Sequence, residues 1–226
     1  MTSHAVALPP APTVPVLDSD AVFPVRRILC VGRNYDAHRR EMGGDDRDPP
    51  FFFSKPADAV VPPGQDVPYP PATESLHYEM ELVIAIGAEG FQVAPDKALD
   101  LVFGYAAGVD LTRRDLQNAA KAKGHPWEAG KAFDHSAPIS AIRRAEGPAP
   151  TGRIHLSVNG EIKQDAAVAD MIWNVAEVIA KASELWRLLP GDLIFTGTPE
   201  NVGPVRKGDR IDGAVEGVGA LTFNLV

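Results

Sequence analysis

The stretch Tyr78-Glu79-Met80-Glu81-Leu82-Val83-Ile84-Ala85-Ile86 carries the fold reading. Side chains alternate faces along a strand, so Glu79 and Glu81 share one face while Met80, Leu82, Ile84 and Ile86 take the other, toward a core. A second apolar run, Ala107-Gly108-Val109, ends in Asp110. Adjacent carboxylates repel unless a positive charge lies between them, and a hard cation that prefers oxygen ligands supplies one. Spacing alone fits two solvated glutamates on an exposed face better; the surrounding segments favour the metal.

Outward from this strand, short strands are expected over 28–31, 51–54, 102–110, 193–196, 210–215 and 220–225. A hairpin is expected at 154–165 around Asn159-Gly160. Short helices are expected over 36–42, closed by Gly43-Gly44, and over 97–101. A longer one is expected over 113–122, and residues 124–138 are read as a loop carrying Lys131. The clearest helix is 175–188, with Asn174 and Glu177 in capping-box spacing and Val175, Val178, Ile179, Ala182, Leu185 and Trp186 as its buried stripe. Many short strands with few helices indicate a mixed, mostly β fold with short peripheral helices. Residues 1–24, rich in Pro and Ala, read as an extended N-terminal arm, and 25–226 as a single domain.

The chain has 226 residues, 45% of them hydrophobic, enough for one domain with a real core. Its net charge of −8 argues against nucleic acid or an anionic membrane as the main partner. Cys30, the only cysteine, excludes an intrachain disulfide and sits in an apolar run that reads as a buried strand. No signal peptide is evident and no apolar run approaches the roughly 20 residues needed to cross a bilayer, so the cytoplasm is the expected location.

Six segments in order resemble the fumarylacetoacetate hydrolase family: Cys30-Val31-Gly32-Arg33-Asn34-Tyr35 with His38 and Glu41 after it; Phe53-Ser54-Lys55-Pro56; Tyr78 to Leu82; Gly108 to Asp115; Gly130-Lys131-Ala132-Phe133-Asp134; and Leu189 to Pro199. The resemblance implies a β-sandwich roll, a homodimer and a metal site made of Glu79, Glu81 and Asp110. An all-carboxylate set selects Mg²⁺ or Mn²⁺ over Zn²⁺ and leaves positions open for a chelating 2-oxo acid. The implied reaction is hydrolysis of a carbon–carbon bond in an acylpyruvate, with fumarylpyruvate going to fumarate and pyruvate in aromatic catabolism of the gentisate type.

His38 and Glu41, three residues apart, match the family's water-activating pair; a movable lid over 36–50 is a further expectation. Lys131 matches a lysine beside the metal. Arg114 and Gln117, four and seven residues after Asp110, match substrate contacts, while Arg113 should point elsewhere. Thr198 resembles a substrate-binding threonine. Arg33 and Lys123 are candidate cations for a second substrate carboxylate. His77 is read as structural, and Asn201 as tolerating a left-handed backbone. Two rivals stay open: decarboxylation of oxaloacetate or isomerisation in homoprotocatechuate degradation at the same metal site, and a non-catalytic binding module.

Overall fold

The computed structural model describes residues 5–7, 9–35 and 47–226; the short helix expected over 36–42 lies outside them. In chain order the strands are β1 Thr13–Pro15, β2 Val22–Pro24, β3 Arg27–Gly32, β4 Phe51–Lys55, β5 Val60–Val61, β6 Leu76–Tyr78, β7 Met80–Ile86, β8 Val102–Val109, β9 Thr112–Arg113, β10 Ala137–Pro138, β11 Arg143–Arg144, β12 Arg153–Val158, β13 Glu161–Ala167, β14 Asp192–Phe195, β15 Gly203–Val205, β16 Arg210–Val215 and β17 Gly219–Asn224. The α-helices are α1 Pro95–Ala98, α2 Arg114–Lys123, α3 Glu128–Lys131 and α4 Val175–Leu185. The fold is mostly β with short helices, as the sequence indicates.

The central sheet has six strands in the order β11-β8-β7-β14-β3-β4, antiparallel except for the β14–β3 pair. One face packs Leu82, Ile84 and Ile86 against Ile154, Leu156, Ile211 and Leu221 of the antiparallel sheet β13-β12-β16-β17 and against Val178, Ile179 and Ala182 of α4. The other face packs Val83, Ala85 and Phe195 against Val14 and Phe23 of the β1–β2 hairpin and against Ile139 and Ile142. Both faces of β7 are therefore buried, which corrects the picture of one core face and one open face. Glu81 shares its side with Val83 and Ala85, in a dry layer rather than in solvent. Cys30 is buried in that layer, and burial pushes its thiol pKa well up, as befits a structural cysteine.

Local signals hold at several points. Asn159 and Gly160 both take positive φ, 52° and 84°, the pattern of a type I′ hairpin turn. Asn174 and Glu177 form the reciprocal capping box. Helix α4 nevertheless ends at Leu185, not at 188, because Trp186 turns to extended backbone. Its buried face includes Ala180 and Ser183 instead of Leu185, which is 60% exposed. Ser183 explains the rotation: its hydroxyl accepts from Val93 N–H at 2.9 Å and donates to the Ala180 carbonyl, fastening α4 to the segment before α1. The 124–138 loop also contains more order than expected. Lys131 closes the one-turn helix α3, and Ala137–Pro138 pairs in parallel with β5.

Candidate metal centre

Strand pairing brings the three carboxylates together. Antiparallel register sets Met80 opposite Val109 and Glu81 opposite Gly108, and the Asp110 N–H donates to the Glu79 carbonyl at 2.8 Å. Glu79, Glu81 and Asp110 thus lie at the adjoining ends of β7 and β8, with ligand oxygens within 4.8 Å of one another and all three residues buried. Among the described residues this is the one such cluster of His, Cys, Asp or Glu side chains.

Three cations face it. Lys131 Nζ, 2% exposed, donates to Asp110 Oδ2 at 2.6 Å, Glu79 Oε2 at 2.9 Å and Thr112 Oγ1 at 2.7 Å. Arg114 pairs with Glu79 Oε1 at 2.5 Å. Lys55, wholly buried, stands 2.8 Å from Asp110 Oδ1 and donates to the backbone carbonyls of Leu111 and Lys131. Burial alone lowers the pKa of Lys131, but Asp110 and Glu79 outweigh it and hold the ammonium charged well above its usual range. Burial likewise pushes Glu79 up, and Lys131 with Arg114 pulls it back below the ordinary carboxylate value.

Glu81 differs. Its recorded hydrogen bond comes from the Gly197 N–H to Oε2 at 2.7 Å, and no cation forms an ion pair with it among the described residues. Burial, then Asp110 and Glu79, push its carboxyl well above the usual range. Two observations fit a divalent cation here. Glu81 is a buried acid short of positive charge, and Asp110 Oδ1 is buried with no hydrogen-bond donor aligned on it, Lys55 being near but off line. Hard oxygen donors without His or Cys match Mg²⁺ or Mn²⁺.

A cavity of about 220 Å³ opens onto this cluster, lined by Glu79, Lys131, Arg114, Gln117, Thr198 and Arg33 among others. Arg114 and Gln117 are joined at 2.7 Å on α2, as their helical spacing requires. Arg113 points away, its guanidinium 4.3 Å over the Phe133 ring and its NH1 donating to the Ala129 carbonyl, so it braces α3. A cleft of about 980 Å³ borders β4 and shares Phe51, Phe53, Trp127 and Lys131 with the smaller cavity. Neither Glu79, Glu81 nor Asp110 lines it, so chemistry and not volume selects the site.

Lys123 is not on the cavity wall; Lys121, two residues earlier, is. His38 and Glu41 lie outside the described residues. His77 meets Ser75 Oγ at 3.2 Å and takes no place among the carboxylates. Asn201 has φ 67°, the left-handed backbone read from its residue type. Sequence reasoning missed four polar groups around the site. Lys55 was signalled only by its place after Phe53-Ser54. Thr112 follows Asp110 by two and bonds to Glu79 Oε1 at 3.2 Å. Gln164, fully buried, accepts from Met80 N–H at 2.9 Å and donates to Thr198 Oγ1 at 2.9 Å. Lys121 is the fourth.

Comparison with known proteins agrees with this geometry. The family model "Fumarylacetoacetate (FAA) hydrolase C-terminal" matches residues 27–226. The chain is 49% identical over 176 residues to a fumarylpyruvate hydrolase of Ralstonia sp, covering 77% of this chain and 92% of that one. It is 39% identical over 202 residues to the mitochondrial oxaloacetate tautomerase FAHD1 of Homo sapiens, covering 88% and 91%. The crystal structure of fumarylpyruvate hydrolase from Pseudomonas aeruginosa in complex with Mn²⁺ and pyruvate superposes with a TM-score of 0.92 at 48% identity, covering 99% of both chains. With its fold, its carboxylate cluster and these likenesses in accord, the chain belongs to the fumarylacetoacetate hydrolase family.

Proposed function

We propose that this enzyme hydrolyses the carbon–carbon bond of an acylpyruvate, fumarylpyruvate foremost, giving fumarate and pyruvate, and that residues 25–226 form its single catalytic domain. The observation that carries the reading is the buried cluster of Glu79, Glu81 and Asp110 set against one small cavity that Glu79, Lys131, Arg114, Gln117 and Thr198 line. The likeness to an enzyme whose crystal structure holds Mn²⁺ and pyruvate supports it.

Glu79, Glu81 and Asp110 would hold Mg²⁺ or Mn²⁺, which supplies Lewis acidity at the 2-oxo acid. Arg114, braced by Gln117, orients the carboxylate of the pyruvyl end, and Thr198 donates from the facing wall. Lys131 stays charged and offsets negative charge as it develops. His38, oriented by Glu41, takes the proton of the attacking water. Water adds to the distal carbonyl, the bond to the pyruvyl methylene breaks, and its electron pair takes a proton to give pyruvate. Phe51, Phe53 and Trp127 give the cavity an apolar wall, beside which electrostatic interactions are stronger than in water.

A second reading, action on oxaloacetate, is favoured by the 39% identity to the tautomerase. It uses the same carboxylates and needs no activated water. Turnover assays with fumarylpyruvate, acetylpyruvate and oxaloacetate, with Mn²⁺ or with chelator, separate the readings. Metal-dependent release of fumarate and pyruvate, abolished in His38→Ala, is the expected result. Turnover of oxaloacetate alone, surviving His38→Ala, would overturn the hydrolase reading and demote His38 and Glu41. A homodimer, a cytoplasmic location and a role in aromatic catabolism complete the proposal; light scattering tests the first. No helix among the described residues is long and apolar enough to cross a membrane.

A further inference from the structure

Helix α2 presents Arg114, Gln117 and Lys121 to the cavity, at i, i+3 and i+7. At 100° per residue Lys121 returns to within about 20° of Arg114, whereas Lys123 turns to the opposite side. The three residues form one edge of the site, with Arg114 fixed at the carboxylate end by Glu79. Seven residues of helix rise roughly 10 Å, so Lys121 stands about that far along the helix axis from Arg114.

The lining of the cavity is predominantly cationic. Its charged lining residues are Arg33, Arg114, Lys121, Lys131 and Glu79. Lys131 and Arg114 are taken up by Glu79 and Asp110. Arg33 and Lys121 form no ion pair among the described residues. Lys121 is instead held over the Trp127 ring, Nζ 4.7 Å from its centroid, and Trp127 is locked edge-on to Phe51 at 5.3 Å. Partial burial lowers the pKa of Lys121, the like charges of Arg114 and Arg33 lower it further and Glu79 opposes them, so Lys121 and Arg33 are the two lining cations without an ion-pair partner among the described residues. The aromatic wall of Phe51, Phe53 and Trp127 carries no charged group that would pair with a second anion.

We propose that Lys121, stacked on Trp127 and seconded by Arg33, is the subsite for the second carboxylate of a dicarboxylic acylpyruvate, and that it sets selectivity for dianionic over monoanionic substrates. The inference rests on the acylpyruvate reading. Distances favour it: a seven-carbon chain built from bonds of about 1.5 Å has a length of the same order as the rise between Arg114 and Lys121. Arg33 fits a supporting role, since its left-handed backbone, φ 57°, ends β3 at the cavity rim.

The test compares fumarylpyruvate with acetylpyruvate, which has a methyl group in place of the charged end, in wild type, Lys121→Met and Lys121→Arg. Loss of a charge-assisted contact should lower the fumarylpyruvate-to-acetylpyruvate ratio of kcat/KM by roughly 10- to 100-fold in Lys121→Met. The change should fall on KM for fumarylpyruvate, and Lys121→Arg should restore most of the ratio. A ratio unchanged in Lys121→Met, or equal loss on both substrates, overturns the subsite. If wild type cleaves neither acylpyruvate, the functional reading fails, and calorimetry with fumarate still decides the subsite. Weaker fumarate binding by Lys121→Met then supports it, and equal binding overturns it.

Discussion

Gln164 Nε2 donates to the Thr198 hydroxyl at 2.9 Å across 34 residues of sequence, and the same side chain accepts from the Met80 N–H between the two metal-facing glutamates. One buried amide therefore ties the metal strand to the loop that carries Thr198. Its remaining donations go to the carbonyls of Pro199 and Glu200, so Gln164 fixes the shape of that loop as well as its distance from the carboxylates.

Gln164→Leu should be costly on both counts. It leaves the Met80 N–H and the Pro199 carbonyl buried without partners, at about 1–3 kcal/mol each. Thermal unfolding should show Tm lower by roughly 5–15 °C for a domain of this size. In the surviving folded enzyme, freeing Thr198 should raise KM for the 2-oxo acid. Unaltered Tm together with unaltered kinetics would refute the tie.

Lys131→Met removes the ammonium shared by Glu79 and Asp110. Uncompensated buried charge of this kind costs about 3–5 kcal/mol. The metal-free variant should melt well below the wild type, and Mn²⁺ should raise its Tm more than it raises that of the wild type, because the ion replaces the missing charge. Activity should still fall by roughly 100-fold or more, since the ammonium that offsets developing charge is gone. Equal Mn²⁺-induced shifts in both proteins would count against the arrangement.

Glu81 gives the metal-free protein a pH dependence of definite sign. Burial, Asp110 and Glu79 raise its folded-state pKa well above the ordinary value of 4.5. Between that value and the raised one, the folded state holds a proton that the unfolded state has released. Stability from this group is therefore full below pH 4.5 and is lost as pH rises through the window. Chelator-treated wild type should lose Tm across it, and Glu81→Gln should lose less. Mn²⁺ binding must expel the proton, so apparent affinity should climb with pH over the same range. A flat pH profile for wild type would contradict the assignment.

Gly197 has φ 97°, which disfavours any side chain, and a Cβ there would stand 2.7 Å from the Asn34 Cβ. Asn34 cannot yield, because its amide donates to the carbonyls of Trp173 and Thr196 and accepts from the Trp173 N–H. Gly197→Ala should cost about 1–3 kcal/mol from backbone strain alone. It should also pull the Gly197 N–H off Glu81 and weaken Mn²⁺ binding, read by calorimetry. Retention of wild-type Mn²⁺ affinity in a folded Gly197→Ala protein would rule out that contact as a determinant of the site.

Local chemistry made part of this molecule legible in advance. The period-two pattern of 79–86 marked β7, Asn159-Gly160 marked the hairpin turn, and Asn174 with Glu177 marked the start of α4, each through interactions within a few residues. The carboxylates and Lys131 were legible through the family resemblance of the segments that carry them, since the spacing of Glu79 and Glu81 alone is also that of two solvated side chains.

Gln164 was not legible, and the reason is specific. Strand β13 pairs Gln164 with Leu156 but Ile162 with Ser157, leaving Lys163 as an extra residue at a bulge. The bulge swaps the faces, so Ile162 is 54% exposed while Gln164 is wholly buried. Simple alternation would have placed both on one side. The choice of Lys121 over Lys123 needed the true start of α2 and the cavity beside it, and the dry environment of Glu81 needed the second layer packed on β7. By itself the sequence determined the strand and turn pattern, the metal-type donor set and the family, since these rest on residue identity and short-range geometry. Tertiary structure alone decided which polar groups share the cavity with the carboxylates and how each is charged, because burial, register and ion pairing are set by segments far apart in the chain.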